Sequence, residues 1–237
     1  LLQKRRGLCE GCSWAEGKYL FGEPSLEESS SDTLAGLFLV PDTGVWAPLG
    51  ALSSGAQGIL KLRAPPGRYL MSAEVWNPAG RWGARVRRGI AAEVVPPDVP
   101  ALSDLILLDP GPTLPAALEE ALPRMRSTPH LGGDERITVG WEVYGLGFRR
   151  EEITFRLRVI HEEESLVRRA LKRIGLFRRE PVLTLSWSEG GPENPGPFFR
   201  AVDLNLPIMD PGRYVLQLEM NLPGRTEVLA QRRITVQ

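Results

Sequence analysis

Pro66-Gly67-Arg68-Tyr69-Leu70 recurs near the end of the chain as Pro211-Gly212-Arg213-Tyr214-Val215. The likeness runs on. Glu74 answers to Glu219, Pro78-Ala79-Gly80-Arg81 to Pro223-Gly224-Arg225, Arg87-Arg88 to Arg232-Arg233, and Ile90 to Ile234 with one gap. Solenoid repeats have much shorter periods, so the pattern reads as a duplicated domain. Each copy has a physical meaning. Pro-Gly at the centre of a turn favours type II geometry, because Pro fixes φ and Gly takes positive φ. The strand that follows alternates, with Tyr69, Met71, Ala73 and Val75 on one face, as are Tyr214, Leu216, Leu218 and Met220 in the second copy. A second turn at 77–80, or at 222–224, leads into a returning strand. Each copy is therefore a hairpin that closes a sheet.

Upstream of the second copy, three more segments alternate. Ile137, Val139, Trp141 and Val143 oppose Thr138, Gly140 and Glu142; Ile153, Phe155, Leu157 and Val159 oppose Thr154, Arg156 and Arg158; Leu183, Leu185 and Trp187 oppose Thr184, Ser186 and Ser188. With a strand over 202–206, residues 137–237 hold about six strands of one-sided sheet, the pattern of an antiparallel β-sandwich. The first copy is smaller, with strands expected near 34–40, 58–63, 68–77 and 82–95. The fold class expected is all-β: two tandem immunoglobulin-like sandwiches, 33–100 and 137–237, with one short helix inserted in the second.

The remaining segments read as connections. Residues 1–32 are expected to be a flexible tail, since Glu23-Pro24-Ser25-Leu26-Glu27-Glu28-Ser29-Ser30-Ser31-Asp32 is acidic, serine-rich and nearly free of apolar side chains. Pro96-Pro97-Asp98-Val99-Pro100 is a stiff break. Residues 101–136 form a connector, in which Leu102–Leu108 is a strand able to join either sheet, and Thr113 caps a short helix from Leu114 to Leu122 that Pro123 stops.

Composition narrows the function. The 237 residues carry 29 basic and 29 acidic side chains, and this zero net charge excludes a general nucleic-acid binder, which needs a basic face. The 25 Gly and 21 Pro favour short strands and tight turns over long helices. The longest uncharged run, Thr43 to Leu60, holds Pro48 and several Gly and does not span a bilayer. The chain begins with Leu1 rather than Met and no signal peptide is visible, which suggests a processed chain or a fragment.

A turn entering a strand that starts with Tyr is similar to the tyrosine corner of immunoglobulin-like and fibronectin type III-like sandwiches, in which the phenol bonds to backbone upstream. The stretch Gly140-Trp141-Glu142-Val143-Tyr144-Gly145-Leu146, together with the final Pro-Gly-Arg-Tyr hairpin, resembles the C-terminal sandwich regions of uncharacterised bacterial GWxTD-type proteins over residues 100–237. That resemblance implies a periplasmic or extracellular bacterial module with no assigned chemistry.

No catalytic constellation emerges. Glu142, Glu151, Glu152 and Asp203 have no partner implied by spacing, His130 sits in a loop, and His161 ends a strand beside three Glu. GxSxG, HExxH and phosphate-loop motifs are absent from the sequence. Cys9-Glu10-Gly11-Cys12 reads first as a disulfide or free thiols, and otherwise as half of a metal site or a redox pair; a structural zinc site needs four ligands. No cofactor is expected. Ser165–Arg179 is an amphipathic helical pattern whose Arg168, Arg169, Lys172 and Arg173 could meet an anionic surface, although Glu162-Glu163-Glu164 at its start and arginines toward its end are what a solvated helix carries to complement its dipole. Trp76 stands out, because it falls on the face opposite Tyr69 and Val75 and so points outward.

The reading is a non-catalytic interaction or structural module, with a protein partner in view and no nucleic acid or transmembrane segment. The alternative is the accessory C-terminal region of a larger enzyme whose catalytic domain lies upstream. Tyr69 and Tyr214 are expected to be paired structural anchors, each ring in a core and each hydroxyl bonded to backbone just upstream.

Overall fold

The structure is a computed structural model that describes residues 2–6, 13–20, 33–42, 49–55, 57–92, 94–132, 134–162 and 181–237. It is built of antiparallel sheets, with a single short α-helix among the described residues. The chain divides into two compact units: Leu1–Pro97 with Met125–Ser127, and Asp98–Arg124 with Thr128–Gln237.

The first unit holds β1 (Leu2–Arg6), β2 (Ser13–Leu20), β3 (Leu34–Pro41), β4 (Leu49–Ser54), β5 (Gln57–Ala64), β6 (Gly67–Asn77) and β7 (Trp82–Ala92). They form a three-stranded sheet in the order β1-β2-β5 and a four-stranded sheet in the order β4-β3-β6-β7. Ala35, Leu37 and Leu39 of β3, Tyr69, Met71 and Val75 of β6, and Leu60, Leu62 and Ala64 of β5 make one core. Period-two alternation puts all of them on inward faces. The tail expected over residues 1–32 is corrected in part: β1 and β2 are strands, paired antiparallel to each other and, through β2, to β5. Backbone pairing supplies what the polar composition of that segment hid. β4 was not expected either, because a Gly-, Ser- and Ala-containing strand has little propensity of its own and is held by pairing with β3.

The second unit is the larger sandwich. One sheet runs β14 (Phe198–Asn205), β11 (Arg136–Tyr144) and β8 (Ala101–Leu102), with β9 (Ile106–Leu108) also on β11. The other runs β10 (His130–Leu131), β16 (Val228–Val236), β15 (Gly212–Asn221), β12 (Glu152–His161) and β13 (Leu183–Gly190), all antiparallel except the short β10–β16 pair. Both sheets face one core, whose centre is Trp141 against Phe155 at 5.6 Å and Trp187 at 6.0 Å. Removing a buried aromatic of this kind costs about 3–5 kcal/mol.

Three expectations change in this unit. β8, β9 and β10 belong to its sheets, so 101–136 is not a free connector. β11 is buried on both faces rather than one: Thr138, Glu142 and Tyr144 are covered as fully as Val139 and Trp141, and α1 (Leu118–Ala121) packs against it. That helix is shorter than the expected 114–122. Its N-cap is Ala117 without a side-chain cap bond, and a 3-10 turn over Leu122–Arg124 runs through Pro123. A turn of this type at a helix end tolerates the proline that would break an α-helix interior. The amphipathic segment 165–179, with Arg168, Arg169, Lys172 and Arg173, lies outside the described residues, as do Cys9 and Cys12.

The repeated hairpins show how local sequence sets geometry. Tyr69 and Tyr214 are both buried, and their hydroxyls donate to the carbonyls of Pro65 at 2.7 Å and Asp210 at 2.9 Å. The tyrosine-corner reading therefore holds in both copies. The type II turn is elsewhere than expected. Gly67 has φ 159°, which is extended backbone, and the turn with a positive-φ glycine lies at the hairpin tip, where Gly224 has φ 73° and Arg225 N–H donates to Leu222 O at 3.1 Å. Pro223 and Gly224 are then its two central residues. Strand register also shifts the repeat by one. Tyr69 faces Ile90 and Met71 faces Arg88, while Tyr214 faces Ile234 and Leu216 faces Arg232, so Arg88 is equivalent to Arg232.

Candidate functional site

The outer face of the β4-β3-β6-β7 sheet departs most from what a sandwich needs for stability. Register fixes its rows. Leu34, Trp76 and Gly83 stand side by side; then Leu52, Gly36, Glu74 and Arg85; then Gly50, Phe38, Ser72 and Arg87; then Val40, Leu70 and Gly89. Trp76 is 56% exposed and Leu52 74%, with Leu34, Val40 and Leu70 each more than a third exposed on the same face. Exposed apolar side chains grouped on one face in this way are what binding surfaces carry.

Glycine gives the face its shape. A Cβ on Gly36 would fall 2.6 Å from Phe38 Cε2, and one on Gly50 3.0 Å from Phe38 Cδ1. The Phe38 ring thus occupies the space two side chains would fill and lies down across the sheet. Gly83 stands beside Trp76, but a Cβ there would meet the indole Cδ1 at 3.5 Å, an ordinary contact, so the indole does not depend on the glycine as the Phe38 ring does. A ring laid over glycine stabilises a weak strand, as Phe38 does here across β3 and β4. Between the two rings is a recess of about 420 Å³ lined by Leu34, Phe38, Leu52, Trp76, Glu74 and Arg85. It is an open depression of the sheet face rather than an enclosed cavity.

Polar groups are interleaved with the rings. Ser72 Oγ donates to Glu74 Oε1 at 2.7 Å, and Arg85 Nη1 lies 3.8 Å from the same carboxylate oxygen, a long and half-exposed ion pair. The recess therefore joins two aromatic surfaces with an acceptor and a planar donor, which suits a ligand that is apolar on one side and hydroxylated at its edges.

The other residues singled out by sequence serve structure. Glu142 is buried, with Tyr144 Oη donating to Oε2 at 2.7 Å and Ser103 Oγ accepting the Glu142 N–H at 2.9 Å. Glu151 meets Arg225 Nε at 2.6 Å, in ion-pair contact rather than an aligned hydrogen bond. Burial pushes the Asp203 carboxyl up, but hydrogen bonds from Thr138 and Arg136 and the charges of Arg136 and Arg124 outweigh it and hold the group below its ordinary range. His161 stacks on Tyr214 at 4.7 Å, and His130 lies beside Gln237 at 3.3 Å. Glu152 is exposed at the start of β12. The structure brings none of these together around a common recess, and among the described residues no group of three His, Cys, Asp or Glu is placed to hold a metal ion. Nor is any helix among them long and apolar enough to cross a membrane. Of the face residues, only Trp76 was picked out by sequence. Phe38, Gly36 and Gly83 were missed, although the alternation of Gly36, Phe38 and Val40 with Ala35, Leu37 and Leu39 carried the signal.

Neither a protein-family model nor a curated protein sequence matches the chain. Among solved structures, it is similar to a DUF3823 family protein from Bacteroides ovatus at 10% identity, over 93% of this chain and 96% of that one, with a TM-score of 0.31. It is similar to a Bacteroides uniformis beta-glucuronidase at 8% identity, over 95% of this chain and 26% of the enzyme, with a TM-score of 0.37. A red sea bream transglutaminase matches at 12% identity, over all of this chain and 31% of the enzyme, with a TM-score of 0.31. The chain thus spans about a quarter to a third of those two enzymes. No function follows from likeness of this degree, and the GWxTD-type resemblance gains no support from it.

Proposed function

We propose that the chain is a non-catalytic binding module whose first unit holds a saccharide chain on the outer face of β3, β4, β6 and β7. The observation that carries this reading is the pair of rings on one outer face, Phe38 laid over two glycines and Trp76 more than half exposed, with Glu74 and Arg85 in the row between them. A pyranose has a C–H face that packs on a flat aromatic surface and equatorial hydroxyls that meet a carboxylate and a guanidinium. A peptide adding to a sheet would instead use the backbone of an edge. An envelope or secreted setting, expected from sequence, is part of the proposal. An accessory place within a longer enzyme would leave the role of this face unchanged.

The test is affinity electrophoresis of the whole chain through gels containing dextran, xylan or pectin. Retardation by at least one polymer is expected, with no new reducing ends appearing during incubation, and with the retardation lost in Trp76→Asn. Free migration in every gel, or retardation that Trp76→Asn leaves intact, overturns the proposal; release of reducing ends overturns its non-catalytic part.

A further inference from the structure

The same face is charged in one direction. Arg68, Arg85 and Arg87 project from it, and Glu74 is the one carboxylate in its rows. Glu74 is already engaged by Ser72 and, at longer range, by Arg85. Arg68 and Arg87 have no ion-pair partner among the described residues, and both are exposed. The equivalent face of the second unit is different. There Glu219 takes both Arg156, at 3.5 Å, and Arg158, and Arg233 reaches Glu162 at 3.3 Å.

Arginines on an edge strand also guard against sheet-to-sheet aggregation. That role asks only for charge at the edge and does not explain its place beside the ring platform. Arg87 stands across from Ser72 in the row that also contains Phe38, and Arg85 stands across from Glu74 beside Trp76. Arg85 lines the recess and Arg87 follows it on the same face of β7, so a saccharide chain laid across the rings runs toward both guanidiniums, whose forked donors match a carboxylate in two parallel bonds.

We infer that the ligand is an acidic saccharide: a sugar ring packs on Trp76 and Phe38 while its carboxylate pairs with Arg87, assisted by the positive field of Arg68 and Arg85. This inference rests on the saccharide-binding reading and names its ligand class. Glu74 takes the hydroxyls, and its negative charge keeps the site from being a general anion trap. An acidic peptide would satisfy the arginines and leave both rings uncovered.

The experiment is titration calorimetry of the whole chain with polygalacturonate, dextran and poly-L-glutamate at low and moderate salt, repeated for Arg87→Gln and Trp76→Ala. Both substitutions are at exposed positions, and each variant is checked by its unfolding midpoint. Polygalacturonate is expected to bind, about tenfold more weakly in Arg87→Gln and in moderate salt, and not measurably in Trp76→Ala. Dextran binding that equals polygalacturonate binding and ignores Arg87→Gln overturns the acidic ligand while leaving the saccharide face standing. Poly-L-glutamate binding as tightly as polygalacturonate, without need of Trp76, shows charge alone and overturns it too. Binding of none of the three overturns both readings.

Discussion

The hairpin β6–β7 and the hairpin β15–β16 are two versions of one design. Both start from a Pro-Gly-Arg-Tyr corner with the phenol bonded four residues back. On the inward side, β16 presents Ala230, Arg232 and Ile234 to a closed core, and Arg232 even donates from Nη1 to Leu105 O at 2.6 Å. Burial lowers the Arg232 guanidinium to about 10, against the weaker upward pull of Asp104. The matching residues of β7 are less covered: Val86 is 66% exposed and Arg88 is exposed, and only Ile90 packs on the core. On the outward side, the second copy carries Gln217, Glu219 and Asn221, with Gln217 Nε2 donating to Glu219 at 2.8 Å and Gln231 Nε2 donating to Gln217 at 3.0 Å. The first carries Ser72, Glu74 and Trp76. Since Asn221 serves at the position of Trp76, the hairpin itself does not call for a tryptophan. One copy is spent on a core, and the other leaves its outer face available for contact.

The largest expected difference is at the hairpin tips. The Arg225 side chain is buried between Glu151 and Asp98, at 2.6 and 3.0 Å. Truncating it removes a buried charge-assisted contact and leaves the buried Glu151 carboxylate only the exposed Arg149, at 3.1 Å, so Arg225→Ala is expected to lower stability by about 1.5–3 kcal/mol in urea unfolding. The matching Arg81 is exposed, with φ 52°. Arg81→Ala is expected to stay within about 0.5 kcal/mol. Equal losses would break the comparison.

The two corners should instead behave alike. Tyr69→Phe and Tyr214→Phe each remove one hydrogen bond and should each cost about 1 kcal/mol, measured as unfolding of the corresponding unit. Tyr214→Ala should cost about 3–5 kcal/mol through the cavity. A neutral Tyr69→Phe beside a costly Tyr214→Phe would mean that only the second corner carries load.

Alkaline titration sharpens the same point. Burial raises both phenols above their ordinary value, with Asp210 adding to the rise at Tyr214. The folded chain thus holds these protons more tightly than the unfolded chain. That contribution is complete below the ordinary tyrosine pKa of about 10 and is lost as pH climbs toward the folded values. Stability above pH 10 should fall less steeply in the Tyr69→Phe, Tyr214→Phe double variant than in the parent.

Much of this was legible in sequence, for reasons particular residues make plain. Strict alternation at Ile153–Val159 and Tyr214–Met220 reports an inward face, and those side chains are buried. A Tyr after Pro-Gly-Arg has few ways to satisfy its hydroxyl, so the corner could be read before it was seen. Trp76 was recognisable as outward because period two leaves it no alternative. The rest depends on partners distant in sequence. Nothing in Thr138, Glu142 or Tyr144 says that the far side of β11 will be covered by α1. The strand at 13–20 looks like linker until β5 pairs with it. Gly36 and Gly50 have meaning only once Phe38 is seen lying across both, on two different strands. The turn type was misplaced because two Pro-Gly pairs compete in the second copy, and hairpin register, which no local rule supplies, decides between them.

The most direct measurement gives Trp76 the residue that its counterpart position already holds. Trp76→Asn should leave the unfolding free energy in urea within about 0.5 kcal/mol of the parent, because the side chain is mostly exposed and the second copy folds with Asn221 there. The same variant should lose saccharide binding altogether, in gels and in calorimetry. Binding that survives the substitution, or a stability loss of about 2 kcal/mol or more, would contradict the assignment and return Trp76 to a purely structural role.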